Sequence, residues 1–416
     1  YDTFITGEDP NNYIWYSGKL WRAVSVNNEA NTTKLVTQWN ISAISYNERN
    51  NTAFEGSYIE DWLNDTTVDG FLGNLREPEK FIVMDAKWNT TEDATSLGSI
   101  QRPNGTTTVT DAVGLLNVYE YQSSNNGGTD GYLNNGLNWW TLTPYDSSNV
   151  RCILLSDINK KSLFGSGVRP SINLKSNVKI VDGNGTIDNP YKLEGDNDTN
   201  LSGTLLDTRY SGEYIRFGNE DNNLYRIVSH ENGIGTKITS AEPLKENGTI
   251  KRLVFDNSGN LNYSSTNTIG LFLNGEYLTN YVGAEYSNMI EDNTTWYIGN
   301  VNEGESYMLA KYTDTSGNTI IPNTTQAKVG LLRMGELMAG QFNKSANNTI
   351  HGTYYTLTTQ IGIFKYLIHI LYTGAYEGVR PIMENSIKPS LNLKQNVIIT
   401  SGDGTKNNPF TIKLAN

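Results

Sequence analysis

The chain has 416 residues, a net charge of −12 and 37% hydrophobic residues, with 44 acidic side chains against 32 basic ones. Without a basic run it carries no footprint for nucleic acid or for an anionic membrane surface, and its apolar residues are too evenly spread for a disordered chain. The single cysteine, Cys152, excludes an intrachain disulfide and a cysteine-based zinc site.

Asn, Gly, Ser, Thr and Tyr are abundant, a bias toward strands and turns. The first predicted element is a strand pair, Tyr13 to Tyr16 and Leu20 to Val24, joined by a Ser17-Gly18 turn. A short helix follows, with Ser57 as its cap, Glu60 in the capping-box position, and Ile59, Trp62 and Leu63 on one face. Glu60, Asp61 and Asp65 fall on the outer face of that helix, so paired-carboxylate chemistry is not expected from them. Val113-Gly114-Leu115-Leu116 reads as a strand leading into Glu120. The aromatic pair Trp139-Trp140 comes next, then Tyr145, then the apolar run Arg151 to Leu155 in which Cys152 is read as a small core residue. Val168-Arg169-Pro170, Val178 to Val181, a Gly183-Asn184-Gly185-Thr186 turn and Tyr191 to Leu193 close the first half.

The second half repeats the first. From Val168 to Tyr191 the offset to the C-terminal copy is constant at 219, and 13 of 24 aligned pairs are identical. Val329 to Leu332 with Glu336 repeats Val113 to Leu116 with Glu120, and Tyr354-Tyr355-Thr356-Leu357-Thr358 repeats Trp139 to Thr143. Ile269, Phe272, Leu273 and Asn274 repeat Ile59, Trp62, Leu63 and Asn64, and Leu224 to Ser229 repeats Leu20 to Ser25. Gly378-Val379-Arg380-Pro381 repeats Gly167 to Pro170 at an offset of 211, which predicts an eight-residue insertion, Ile382 to Pro389. The expected organisation is a first module over 1–195, a polar linker over 196–210 that leaves the angle between neighbours free, and a second module over 211–416. The expected fold class is α+β with strands dominant.

These motifs resemble a domain of unknown function found in exported and cell-surface proteins of Gram-positive bacteria, some with prepilin-type leaders. The residues that carry the resemblance are Trp62-Leu63-Asn64, Val113 to Glu120, Trp139 to Pro144, Gly167 to Pro170, and Gly183 to Tyr191. The second copy departs from the pattern, with Thr359 in place of Pro144 and Tyr354-Tyr355 in place of the tryptophan pair. The resemblance implies a module related to C-type-lectin-like folds and an extracellular or cell-surface location. It also implies a non-enzymatic role in adhesion or assembly, with a host or environmental glycan, a protein receptor or other appendage subunits as partner. A carbohydrate-binding module or a carbohydrate-active enzyme is the alternative.

Candidate ligand residues are Trp139, Trp140, Tyr145, Tyr354 and Tyr355, as a platform on which sugar rings stack; the competing reading is core packing. Arg169 and Arg380 are expected to pair with a buried acid such as Glu120 or Glu336. Asp182, Asn184 and Asp188 alternate as calcium ligands do, but too few oxygens are present and the segment reads as a plain turn. His230, His351 and His369 lack metal-ligand spacing, so no metal or other cofactor is expected. Asn-x-Ser/Thr sequons, among them Asn31, Asn40, Asn64, Asn89, Asn104, Asn247 and Asn323, would mark surface loops if glycosylated. Ile361 to Tyr372 is too short to cross a bilayer, so no membrane insertion is expected of this segment. A start at Tyr1 rather than Met reads as a mature or trimmed ectodomain. Binding residues beyond the shared motifs are expected in the loops between Glu120 and Trp139 and between Asn274 and Lys328.

Overall fold

A computed structural model describes residues 2–125, 131–154, 159–161, 164–231, 235–302, 323–343 and 350–416. The fold is α+β and strand-dominated, with short helices. Residues 126–130 and 303–322, within the two loops expected to carry binding residues, lie outside the described residues.

In the first half, one sheet runs in the order Ser171–Leu174, Thr33–Thr37, Lys19–Asn27, Tyr13–Tyr16, Tyr191–Leu193, Ile180–Asp182. A second sheet runs Asn159–Lys161, Asn149–Ile153, Trp139–Pro144, Gly165–Val168, Ser42–Ser45. Alternation explains the inner faces: Trp21, Ala23, Leu35 and Ile172 enter the main core, while Val24, Val36 and Trp139 enter a smaller one behind it. The predicted helix spans Tyr58–Asn64, is capped by the Ser57 side chain, and buries Ile59, Trp62 and Leu63. Its last residue, Asn64, mimics a strand edge: Nδ2 donates to Val113 O at 2.9 Å and Oδ1 accepts from Val113 N at 3.0 Å.

In the second half, Tyr214–Arg216, Leu224–Glu231, Gly235–Ser240, Ser390–Leu393 and Val329–Gly330 form one sheet. Arg252–Val254, Glu384–Ser386, Tyr354–Ile361, Tyr366–Ile370 and Tyr376–Val379 form another. Asn274 Oδ1 accepts from Val329 N at 2.9 Å, as Asn64 does from Val113.

Strand register corrects the expected insertion. Gly167 lies opposite Trp139 in a parallel pair, and the residue in that place opposite Tyr354 is Ser386, which keeps the 219 offset. Gly378-Val379 lies instead on the strand paired with Tyr366–Ile370, the place of Asn159–Lys161 beside Asn149–Ile153. Lys388, not Arg380, therefore stands where Arg169 does. Both Arg169 and Lys388 are buried, whereas Arg380 is exposed.

The halves share a core. One apolar cluster contains Trp15, Trp21, Ile41, Trp62 and Trp140 together with Tyr214, Val228, Leu332, Leu337, Met338 and Phe342. The polar segment expected to be a loose linker is laced to both sides. Arg76 pairs with Asp196 at 3.1 Å and Asp198 at 2.8 Å, Asp198 pairs with Arg209 at 2.7 Å, and Arg209 pairs with Glu213 at 2.8 Å. Asp196 also accepts from Ser17 N at 3.0 Å. Two turns cross back to back: a Cβ on Gly18 would meet Ser211 O at 2.5 Å, and one on Gly212 would meet Gly18 O at 2.2 Å, with φ of +72° and +97°. Lys19, fully buried at that crossing, donates to Ser17 O and Ser211 O. Burial, with Arg226 adding to it, lowers its pKa to about 7.

A candidate ligand groove between the halves

The predicted aromatic platform lies inside the protein. Trp139 and Trp140 are 0% exposed, Tyr354 is 4% and Tyr355 is 2% exposed. The Trp140 indole donates to Ile44 O at 2.9 Å, and Tyr354 Oη donates to Ala339 O and Gly340 O. Tyr145 is half-buried, with the Arg151 guanidinium over its ring. The Trp139-Trp140 and Tyr354-Tyr355 pairs fill cores rather than face a ligand, because two adjacent strand residues point to opposite faces and both faces here are covered.

The acid partners also differ from expectation. Glu120 takes Lys34 at 2.6 Å and Glu336 takes Lys237 at 2.8 Å. Each glutamate also accepts a backbone N–H at a turn start, from Asn117 and from Arg333. Lys237 and Arg333 outweigh burial and hold the Glu336 carboxyl below its usual range. Arg169 instead donates to Thr37 O and Leu133 O and stacks 4.8 Å from the Trp139 ring centre. The signal for Lys34 was present in the sequence, since Thr33-Lys34-Leu35 recurs as Thr236-Lys237-Ile238.

The turn from Asp182 to Asp188 and its counterpart near Asp403 are closed by their own atoms. Thr186 N and Oγ1 donate to Asn184 Oδ1, and Thr405 N and Oγ1 donate to Asp403 Oδ1. Among the described residues no group of three or more His, Cys, Asp and Glu side chains is placed to hold a metal ion. Cys152 is buried, with Sγ 2.9 Å from Ser166 Oγ.

Those two turns meet. Asn407 Nδ2 donates to Asp188 O at 2.9 Å and Lys192 pairs with Asp403 at 3.1 Å. Beneath them lies a groove of about 430 Å³, lined from both halves. Its apolar surface comes from Trp15, Trp39, Tyr214 and Phe342, and its polar edge from Asn189, Lys192, Arg226, Asn343, Thr405 and Lys406. Trp15 and Tyr214 are stacked, with centroids 6.2 Å apart. The Arg226 guanidinium sits 4.4 Å from the Tyr214 ring centre and 5.0 Å from that of Phe342. Arg226 donates to Gly212 O and Gly18 O, and burial lowers its pKa. No sequence motif marked this groove, because its walls come from residues far apart in the chain.

A family model described as a domain of unknown function, DUF6273, matches residues 30–176. No curated protein and no solved structure matches the chain.

Proposed function

We propose that this chain is a non-enzymatic binding protein of the cell surface or of an extracellular appendage, built from two copies of one C-type-lectin-like module. The groove between its halves is its ligand site. The observation that carries the reading is the combination of aromatic faces with cationic and amide groups in one concave site of about 430 Å³. Flat rings with nearby hydrogen-bonding groups suit a sugar, whose C–H face stacks while its hydroxyls bond. Trp39 is half-buried at this groove and so presents accessible ring surface. The ligand is a glycan displayed by a host or environmental surface.

A glycan array followed by calorimetry tests this reading. Saturable binding is expected, and Trp39→Ala should weaken it at least about tenfold, the loss of roughly 1.4 kcal/mol of stacking. Absence of binding to any glycan, or binding untouched by Trp39→Ala, would sink the groove assignment. Robust turnover of a bound glycan would sink the non-enzymatic one.

One observation favours assembly as a second reading. Ile363 is 88% exposed, and Phe364, Ile382 and Met383 are exposed beside a cavity of about 250 Å³. Paired aspartate substitutions at Ile363 and Phe364 should abolish association with an appendage subunit in light scattering while leaving glycan binding intact.

A further inference from the structure

We propose that Lys237 and Asn392 condense into an intramolecular amide bond, with Glu336 carrying the proton. The two residues lie directly opposite each other in the antiparallel pair of Gly235–Ser240 with Ser390–Leu393. Directly opposed residues share a face, with Cβ atoms about 4.5–5.5 Å apart, well within the reach of a lysine side chain. Lys237 Nζ lies 2.8 Å from Glu336 Oε1 and 3.5 Å from Glu231 Oε1, and 5.5 Å from the Trp296 ring centre.

Asn392 is the second observation. It is 0% exposed, and neither its amide nitrogen nor its amide oxygen has a hydrogen-bond partner. A buried primary amide without partners is costly, and native interiors rarely keep one. Lys237 and Glu336 thus stand paired in a water-poor site under an indole ring, on the strand face that carries the Asn392 carboxamide.

The step balances. Glu336 takes a proton from Nζ, and the freed electron pair forms the Nζ–Cγ bond to Asn392. The Cγ–Nδ2 bond breaks, and both protons lost from Nζ end on the departing nitrogen, which leaves as ammonium. Glu336 finishes as the carboxylate it began as, and nothing is oxidised or reduced.

The first half holds the same three residue types in an open setting. Lys34 lies opposite Asn173 and pairs with Glu120 at 2.6 Å. There, however, Lys34 and Asn173 line a cavity of about 320 Å³, and Asn173 is half-buried. That carboxamide opens onto the cavity, so the bond is assigned to the second half alone.

Intact-mass measurement of the whole denatured chain tests the proposal. The expected mass is that of the sequence less one ammonia, with one protease-resistant branched peptide joining the Lys237 and Asn392 segments. Asn392→Ala, Lys237→Arg and Glu336→Gln should each restore the full sequence mass. The full mass in the unaltered chain overturns the proposal, and that result needs no variant to fold. An ammonia loss that persists in Asn392→Ala overturns it equally, since the nitrogen would then come from elsewhere.

Discussion

Gly114 and Gly330 each lie against an indole ring, and this contact gives the repeated Val-Gly-Leu-Leu motif its glycine. A Cβ would meet Trp88 at 2.4 Å in one case and Trp296 at 2.5 Å in the other. Gly114→Ala or Gly330→Ala should therefore destabilise the chain by about 1–3 kcal/mol in urea titration, the usual cost of overpacking. Lys19 makes a pH prediction. Its folded pKa of about 7 lies below the unfolded value of 10.5, so between those values the unfolded chain binds more protons. The burial penalty is present in full below pH 7 and is relieved as pH rises toward 10.5, so stability should rise across that window. In Lys19→Met that rise should vanish when the two proteins are compared by denaturation from pH 7 to 10; an equal slope in both would contradict the assignment. The Asn-x-Thr pattern also resolves at this scale. Thr91, Thr106 and Thr186 each donate to the asparagine two residues earlier, and Thr95 and Thr405 do the same to aspartates. The aspartate cases cannot be glycosylated, so turn closure accounts for the spacing at these five positions.

Strand ends and helix ends were legible where local chemistry decides them. The Ser57 cap and the buried face Ile59, Trp62, Leu63 follow from the pattern of the helix itself. What Asn64 does was not legible, because its partner Val113 lies on a remote strand. Asn64→Ala should cost about 1–3 kcal/mol by leaving the Val113 N–H and C=O without partners, and Asn274→Ala should do likewise at Val329. Denaturant midpoints that stay unchanged would show that water replaces these amides. The repeated Gly-Val-Arg-Pro misled the sequence reading for a physical reason. Gly378-Val379 lies on an edge strand and Gly167-Val168 on an inner one of similar local sequence, and they pair with different neighbours. Only backbone register separates them.

At the scale of the molecule, the halves are joined by packing and by backbone hydrogen bonds. They share a core through Tyr214, Val228, Leu332, Met338 and Phe342, and backbone bonds cross between them, Asn138 N to Thr373 O at 2.7 Å and Gly340 N to Ile41 O at 3.1 Å. Calorimetry should give a single cooperative transition, and a chain ending at residue 195 should bind a hydrophobic dye through the uncovered core. Two resolved transitions, or a compact dye-silent first half, would refute this coupling. The sequence by itself determined the internal repeat, the strand-dominated class, the short capped helix and the glycine-bearing turns, since each depends on residues within a few positions of one another. It could not decide which aromatic residues face solvent. Trp15, Trp39, Trp139 and Trp140 look alike as letters, yet two pack fully inside and two line the groove. Nor could it decide that Lys34 and Lys237, rather than the arginines, meet Glu120 and Glu336. Those choices depend on which surfaces the two halves present to each other, and only packing across the whole chain fixes them.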